Sequence, residues 1–231
     1  MLIRRVPIGS CAFLGGLIAV PVEFVDSWAN MVQFNTEYLA QPNEFVHYLR
    51  SISSYHVTAR NGLARSFLGD WLWMSDADHA FDPDIVARMV SLMKEKNIDV
   101  LSAIYRYKAH PFLPTTYMWV NGAYMVVSQM DWNADLVKID CAGAGCLLVR
   151  RRVFERIWNE LHEEPFDVIG KFSEDFSFFH RCMKLGIACY VAPKIYSTHL
   201  RVTGVTNDMF DPSEVVAVPM PSGGTVAVNP V

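Results

Sequence analysis

The stretch from Trp71 to His79, WLWMSDADH, constrains the fold more than any other part of the chain. Its four bulky apolar residues do not alternate with polar ones, which predicts a strand buried on both faces. Two carboxylates follow where this strand must leave the core. Because ligands of open α/β sheets bind at the carboxyl ends of strands, Asp76 and Asp78 are placed to hold a hard divalent cation. The alternative is that they only cap the turn after the strand.

The composition fits one compact α/β domain. The chain has 231 residues, of which 52% are hydrophobic, enough to bury a sizeable core. Its net charge of −4 lacks the basic excess of proteins that hold nucleic acid by neutralising phosphates. Nucleic-acid binding through a local basic patch is still compatible with this net charge.

The five cysteines indicate reduced, buried side chains. They are odd in number and show neither C-x-x-C spacing nor a Cys/His zinc pattern, as in a cytosolic protein.

The apolar segment 11–25 is interrupted by Pro21 and Glu23 and is too short to span a membrane. Arg4 and Arg5 precede it, so a signal peptide is the competing interpretation of a segment that we expect to hold the first strand.

The hydrophobic pattern predicts strands and helices along most of the chain. An Asn121-Gly122 type I′ turn is expected within a hairpin over Tyr117–Val127. The predicted strands are Leu14–Val20, Phe45–Ile52, the Trp71 strand, Asp99–Tyr105, Cys146–Val149 and Ile187–Ala192. The predicted helices are Phe24–Leu39, Thr58–Phe67 with Thr58 as N-cap, a helix from an Asp82 N-cap to Lys94, Val153–Leu161 and Glu174–Leu185.

These elements predict a mixed, mostly parallel sheet flanked by helices in a single domain, residues 1–207. Residues 208–231 hold four prolines and two consecutive glycines and show no helical period. We expect this segment to be a tail or an arm that packs on a partner.

The order of the polar motifs carries a family resemblance. Ala59-Arg60-Asn61-Gly62-Leu63-Ala64 precedes Asp76-Ala77-Asp78, and Gly143-Ala144-Gly145, Ser173-Glu174-Asp175 and His199 follow. This order over residues 12 to 206 resembles the GT-A glycosyltransferases, which have a Rossmann-like fold. It is most similar to the compact inverting type with many bacterial and phage members.

The resemblance implies a metal site for Mn²⁺ or Mg²⁺. Asp78 would be the direct ligand, His199 a further ligand, and Asp76 would serve the metal or the ribose of the nucleotide. A cation there stabilises the negative charge of a departing nucleoside diphosphate without any proton transfer. His79 is the competing histidine, but its position next to Asp78 predicts that it points away.

The resemblance also implies a binding site for a nucleoside-diphosphate sugar, with a UDP-sugar favoured. Arg60 would contact the base or a phosphate, although an exposed arginine paired with a carboxylate is the alternative. The small loop at Gly143 would lie beneath the donor sugar, with backbone N–H groups free for its hydroxyls, unless it serves only strand packing. The implied donor-binding residues are Pro21, Glu23, Arg60, Asp76, Gly143, Ala144 and Arg201.

The catalytic residues implied by the resemblance are Asp175 and Glu174. Asp175 would deprotonate the acceptor hydroxyl as it attacks the anomeric carbon, and Glu174 would orient hydroxyl groups. By themselves, two carboxylates that open a helix need only the helix dipole as an explanation.

The resulting hypothesis is a metal-dependent glycosyltransferase, inverting, that acts on a hydroxyl acceptor. A hydroxymethylated DNA base and a glycan are both open as acceptors, and acceptor recognition is expected from 106–117, 159–172 and the tail. A nucleotidyltransferase of related fold and a non-catalytic nucleotide-sugar binding module are the alternatives. We expect no membrane span and a cytoplasmic location, the host cytoplasm if a phage encodes the chain; the oligomeric state stays open.

Overall fold

A computed structural model describes residues 5–15, 20–53, 55–201, 216–219 and 225–228. The chain divides into two compact units, Met1–Leu200 and Arg201–Val231. The predicted boundary between residues 207 and 208 falls outside the described residues. Each unit is described by itself.

An eight-stranded sheet forms the centre of the first unit in the described residues. Its strands are β1 Val6–Leu14, β2 Glu44–Ser51, β3 Trp71–Asp76, β4 His79–Phe81, β5 Val100–Ile104, β8 Val137–Ile139, β10 Cys146–Arg150 and β11 Cys189–His199. Their order is β2-β1-β3-β10-β5-β11-β4, with β8 paired to β11. Strands β2, β1, β3, β5 and β11 run in one direction, and β10, β4 and β8 run against them. The predicted mostly parallel α/β sheet is therefore confirmed.

Five α-helices in the described residues flank this sheet, and a small sheet lies beside it. The strands of the small sheet are β6 Thr116–Val120, β7 Ala123–Val126 and β9 Cys141–Ala142, in the order β7-β6-β9. The helices are α1 Val22–Phe34, α2 His56–Ser66, α3 Ile85–Glu95, α4 Arg151–Arg156 and α5 Glu174–Lys184. Single π-helical turns, Asn35–Leu39 and Ile157–Leu161, extend α1 and α4.

Strand β3 lies in the middle of the sheet with both faces covered. Trp71 and Trp73 belong to one hydrophobic cluster, whereas Leu72 and Met74 belong to the other. All four side chains are at most 3% exposed. The prediction of a strand buried on both faces is confirmed, and the two clusters anchor the strand end from which the carboxylates emerge.

Several predicted boundaries were wrong. The first strand is Val6–Leu14, so it ends where the sequence pattern had it begin, and residues 16–19 lie outside the described part. Helix α2 begins at His56, so Thr58 is not its N-cap. Helix α3 begins at Ile85 after a turn in which the Asp82 carbonyl accepts the Ile85 N–H, so Asp82 is not the N-cap.

The hairpin prediction is confirmed by the backbone. Asn121 and Gly122 both have positive φ, 50° and 84°, between β6 and β7, as a type I′ turn requires. Strand β11 runs to His199, seven residues beyond the predicted end at Ala192. The second unit contains an antiparallel pair, β12 Val216–Pro219 and β13 Thr225–Val228, which the proline and glycine content concealed.

All five cysteines are free and buried, as predicted. Cys11 lies within β1 and is fully buried, which places the start of the apolar segment in the central sheet. Among the described residues, no helix has the length and apolar character needed to cross a lipid bilayer.

Candidate active site

Strand pairing brings the end of β3 and the end of β11 together. Asp76 is the last residue of β3, and its N–H donates to the Gly145 carbonyl at 3.1 Å. After a two-residue turn, β4 begins at His79 and pairs antiparallel with β11, with His199 directly opposite His79. Residues 120 positions apart in sequence thereby become cross-strand neighbours.

Asp78, His79 and His199, here called the histidine cluster, form a group with the spacing of metal ligands. One ligand atom from each lies within 4.8 Å of the others. His199 Nε2 is 3.6 Å from Asp78 Oδ2, and His79 Nε2 is 3.8 Å from Asp78 Oδ1. The two imidazole rings stack with centroids 4.7 Å apart. These are two nitrogens and a carboxylate, a donor set competent for a transition-metal dication.

The other nitrogen of each ring is held by the protein. His199 Nδ1 lies 3.0 Å from the Arg106 carbonyl, which can only accept, so Nδ1 carries a proton and Nε2 is the ring nitrogen that faces Asp78. His79 Nδ1 lies 2.8 Å from Ser197 Oγ. Burial lowers the pKa of His79 to about 4. His79 is therefore neutral near pH 7 and can present Nε2 as a ligand.

Two buried atoms of the histidine cluster lack a protein partner. Asp78 Oδ1 and His79 Nε2 make no hydrogen bond to any part of the chain that the structure describes. An unsatisfied buried polar atom is costly, and a metal ion would use both of these atoms. The residues present thus fit a divalent metal.

This arrangement corrects two predictions about the metal ligands. His79 points toward Asp78 rather than away, because β4 turns back against β11 directly after the Asp-x-Asp. Asp76 is outside the histidine cluster, since its carboxylate is paired with Arg60.

Lys108 is a further charged group at this site that sequence reasoning did not assign to it. Its Nζ lies 2.5 Å from Asp78 Oδ2. Burial raises the pKa of Asp78, but hydrogen bonds from His199 and Lys108 outweigh that effect and hold the pKa well below its usual value. The carboxylate is thus ionised. The connection after β5 carries Lys108, and no periodic pattern predicts where such a connection folds.

A second group, the Arg60 network, joins Arg60 to Asp76, Glu174 and the Ala144 carbonyl. The distances are 2.8 Å from Nη2 to Asp76 Oδ1, 2.9 Å from Nη1 to the carbonyl and 3.4 Å from Nε to Glu174 Oε1. Arg60 is only 2% exposed, so the alternative of an exposed surface arginine is wrong. Its nitrogens face protein groups instead of an open nucleotide site. The network ties α2, β3, the loop before β10 and α5 together.

The small loop at Gly143 is packed against side chains. The Gly143 N–H donates to the Thr115 carbonyl at 2.9 Å, and the Gly145 N–H donates to Tyr105 Oη at 3.0 Å. The expectation that these two N–H groups are free for sugar hydroxyls was therefore wrong. A Cβ at Gly143 would lie 2.0 Å from Tyr105 Oη, and one at Gly145 would lie 2.7 Å from His79 Nε2. The close approach predicted for this loop is made to Tyr105 and His79.

Glu174 and Asp175 open α5 in different environments. Glu174 accepts from Arg60 and lies 3.3 Å from His56 Nδ1; burial raises its pKa, but these partners lower it to about 2. Asp175 accepts hydrogen bonds from Ser173 Oγ and from the Phe176 N–H. Burial and the neighbouring Glu174 charge nevertheless raise its pKa. Two adjacent carboxylates thus have pKa values displaced in opposite directions, the pattern that separates an acid–base group from a permanently charged one.

The remaining predicted donor residues lie at the periphery. Pro21 is partly buried and precedes α1, and Glu23 is exposed in the first turn of that helix. In the described ranges, no side-chain hydrogen bond or ion pair links either residue to the histidine cluster or the Arg60 network. Arg201 is exposed and begins the second unit.

The mixed α/β sheet and its flanking helices match the GT-A fold of solved structures. A197 from STIV is 14% identical, with 96% of this chain and 95% of that chain covered and a TM-score of 0.56. GalNAc-T7, crystallised with UDP, GalNAc and Mn²⁺, is 11% identical, with a TM-score of 0.57 over 85% of this chain and 44% of that chain. TarS 1–349 from S. aureus, in complex with UDP-GlcNAc, is 15% identical, with a TM-score of 0.50 over 85% and 59%.

The family model for glycosyl transferase family 2 matches residues 26–158, more than half of the chain. The chain therefore belongs to glycosyl transferase family 2 and is a glycosyltransferase with the GT-A fold of enzymes that use nucleotide sugars. No curated protein sequence gives a significant match.

Proposed function

We propose that this glycosyltransferase transfers the sugar of a UDP-sugar to a hydroxyl acceptor. The proposed reaction depends on a metal and inverts the configuration at the anomeric carbon. The observation that carries the proposal is the histidine cluster, in which Asp78 Oδ1 and His79 Nε2 are buried without a partner in the described part of a family 2 chain. The preference for UDP rests on the two similar structures that were solved with UDP and with UDP-GlcNAc.

Asp78, His79 and His199 would hold the metal. When bound, a dication supplies charge stabilisation to the departing diphosphate. Two imidazole ligands favour Mn²⁺ over Mg²⁺, because Mg²⁺ prefers oxygen ligands in an octahedral shell. Ser197 and the Arg106 carbonyl orient the two rings through their Nδ1 atoms.

Asp76 and Arg60 have separate tasks in this proposal. Asp76 is 26% exposed and keeps one carboxylate oxygen outside its ion pair with Arg60, so it is available to the ribose. Arg60 holds the Asp76 and Glu174 carboxylates in place through its two ion pairs. Pro21, Glu23, Gly143, Ala144 and Arg201 remain proposed donor contacts on the family resemblance alone.

Asp175 is the proposed general base. A carboxylate whose pKa is raised accepts a proton more readily near neutral pH, which suits removal of the acceptor proton. Glu174 stays ionised through Arg60 and His56 and fixes the start of α5 beside Asp175. Release of the acceptor proton to Asp175 accompanies formation of the new glycosidic bond and departure of the nucleoside diphosphate.

The direct test incubates the protein with a panel of nucleoside-diphosphate sugars in Mn²⁺, Mg²⁺ or EDTA. Turnover is measured as the nucleoside diphosphate that is released. We expect hydrolysis or transfer with a UDP-sugar and Mn²⁺ and its loss in EDTA. Turnover that is equal in EDTA and in Mn²⁺ would refute the metal requirement. Glycans and DNA that contains hydroxymethylated bases are the two acceptor classes to screen by mass spectrometry.

A further inference from the structure

Lys108 already places a cation on the carboxylate that the proposed metal would use. Its Nζ lies 2.5 Å from Asp78 Oδ2, and His199 Nε2 approaches the same oxygen at 3.6 Å. The Lys108 and Asp78 side chains are 35% and 39% exposed, so the ion pair is accessible from solvent.

The segment that carries Lys108, residues 106–113, is tied both to itself and to the histidine cluster. The Tyr107 N–H donates to the Leu113 carbonyl at 2.9 Å, and Arg106 Nη1 donates to the Phe112 carbonyl at 2.9 Å. The Arg106 carbonyl accepts from His199 Nδ1. The backbone beside Lys108 is thus fixed next to the site, while the long lysine side chain can reach Asp78 or turn to solvent.

A metal on Asp78 Oδ1, the oxygen without a protein partner in the described residues, would share this carboxylate with the Lys108 ammonium group, which lies 2.5 Å from Oδ2. The two positive charges repel each other at this short range, so metal binding weakens the ion pair and favours release of Lys108. Its partial exposure makes release easy, because water solvates the ammonium once it leaves. The released ammonium group stays close to the site because the backbone of Lys108 is held there. It can then pair with the negative charge of a donor diphosphate.

We propose that Lys108 is an exchangeable cation of this site, which pairs with Asp78 in the metal-free protein and with the donor diphosphate once a metal has displaced it. The proposal rests on the proposed metal and donor site. It makes Lys108 a donor-binding residue that also lowers the affinity for metal alone. Metal and nucleotide consequently support each other's binding, since the nucleotide gives the displaced ammonium a new partner.

The test compares Lys108→Met with the wild-type protein and with Lys194→Met. Lys194 forms an exposed ion pair of similar kind with Asp135, at 3.0 Å, which makes it a matched control. Free Mn²⁺ is measured by electron paramagnetic resonance, without and with UDP, and UDP binding is measured by calorimetry at saturating Mn²⁺. Lys108→Gln repeats the measurement with a polar side chain.

Lys108→Met should bind Mn²⁺ alone about tenfold more tightly, because no charge-assisted hydrogen bond has to be broken. At saturating Mn²⁺ it should bind UDP about tenfold more weakly, because one phosphate contact is lost. Lys194→Met should match the wild type in both measurements. Unchanged or weaker Mn²⁺ binding by Lys108→Met, or unchanged UDP binding, would overturn the role of Lys108.

The two proposals fail in different ways. If the wild type binds Mn²⁺ and UDP and Lys108→Met behaves identically, only the role of Lys108 is wrong. If neither the wild type nor Lys108→Met binds Mn²⁺, the metal-dependent mechanism is wrong and the exchange falls with it. If the wild type binds Mn²⁺ only with UDP, whereas Lys108→Met binds it without UDP, the exchange is supported in its strongest form.

Discussion

The histidine cluster and the Arg60 network lie at the same edge of the sheet but satisfy their polar atoms differently. Each guanidinium nitrogen of Arg60 meets a protein acceptor, and three other segments of the chain contact that one side chain. In the histidine cluster, two buried atoms have no partner within the described ranges. A complete set of protein partners gives rigidity, whereas missing partners indicate room for a ligand.

The largest effect should come from the histidine cluster. Asp78→Ala removes the one carboxylate between the two histidines, and we expect metal-dependent turnover to fall about a thousandfold, with Mn²⁺ binding lost. Steady-state kinetics and calorimetry measure the two effects. The control Asp82→Asn changes an exposed carboxylate 3.7 Å from Arg88 and should leave turnover unchanged. Full activity of Asp78→Ala would show that the histidine cluster binds no metal needed for turnover.

Asp175→Asn tests the general base beside the Arg60 network. We expect kcat to fall at least about a hundredfold, since an amide cannot accept the acceptor proton, while donor binding stays the same. Single-turnover transfer assays and UDP calorimetry separate the two. Asp135→Asn, an exposed position, serves as the control. An unchanged kcat would exclude Asp175 as the base.

Arg60→Met tests whether the Arg60 network stabilises the fold. It removes the cation paired with Asp76 and one of the two partners of Glu174, whose side chains are 26% and 15% exposed, so we expect a loss of about 3 kcal/mol in the free energy of unfolding. Urea denaturation measures it. The exposed Arg88→Met should cost no more than about 0.5 kcal/mol. Equal losses in the two variants would show that burial of Arg60 adds nothing.

The two carboxylates of α5 should respond oppositely to acid. The pKa of Glu174 falls from an ordinary 4.5 to about 2 in the folded protein, so its contribution to stability is present above pH 4.5 and is lost as pH falls toward 2. After allowance for solvent screening, that contribution is about 2 kcal/mol. Asp175 has a raised pKa, so its protonation in acid favours the folded state. In urea titrations from pH 5 to 2, Glu174→Gln should therefore flatten the loss and Asp175→Asn should steepen it. Parallel pH profiles for the two variants would contradict these assignments.

The smallest expected effects are the stability changes of two glycine-to-alanine variants, which should have opposite signs. Gly145→Ala would put a Cβ 2.7 Å from His79 Nε2, so we expect a loss of about 1 kcal/mol and weaker Mn²⁺ binding. A Cβ at Gly62 in α2 would meet nothing within 4 Å, and Gly62→Ala should instead stabilise the helix by about 0.5–1 kcal/mol. Thermal unfolding compares them, and the same sign for both would show that His79 yields to the new methyl group.

Much of the fold could be predicted from sequence because periodicity reports burial. The apolar run before Asp76 and the amphipathic pattern of α3 gave the correct elements, since each has a continuous buried face. The first strand was misplaced because the apolar residues of segment 11–25 extend past Leu14, where the strand ends. Caps at Thr58 and Asp82 were wrong because short polar side chains also suit turns.

The candidate site was predictable only where its residues are adjacent in sequence. Asp78 and His199 could be named as a pair from the family resemblance, but the orientation of His79 depends on how β4 pairs with β11. The burial of Arg60 depends on the joint approach of α5 and the loop at Ala144. The position of Lys108 depends on an irregular connection. Long-range pairing decides each of these, and local pattern carries no information about it.

The antiparallel pairing of β4 with β11 has a consequence for engineering and for natural variation. Neighbouring side chains on a strand point to opposite faces, so a deletion of one residue between Tyr196 and His199 would turn the imidazole of residue 199 to the other face of the sheet. Point substitutions elsewhere in β11 leave that alternation intact. We therefore expect a one-residue insertion or deletion in this part of β11 to weaken metal binding more than most substitutions in the same strand do.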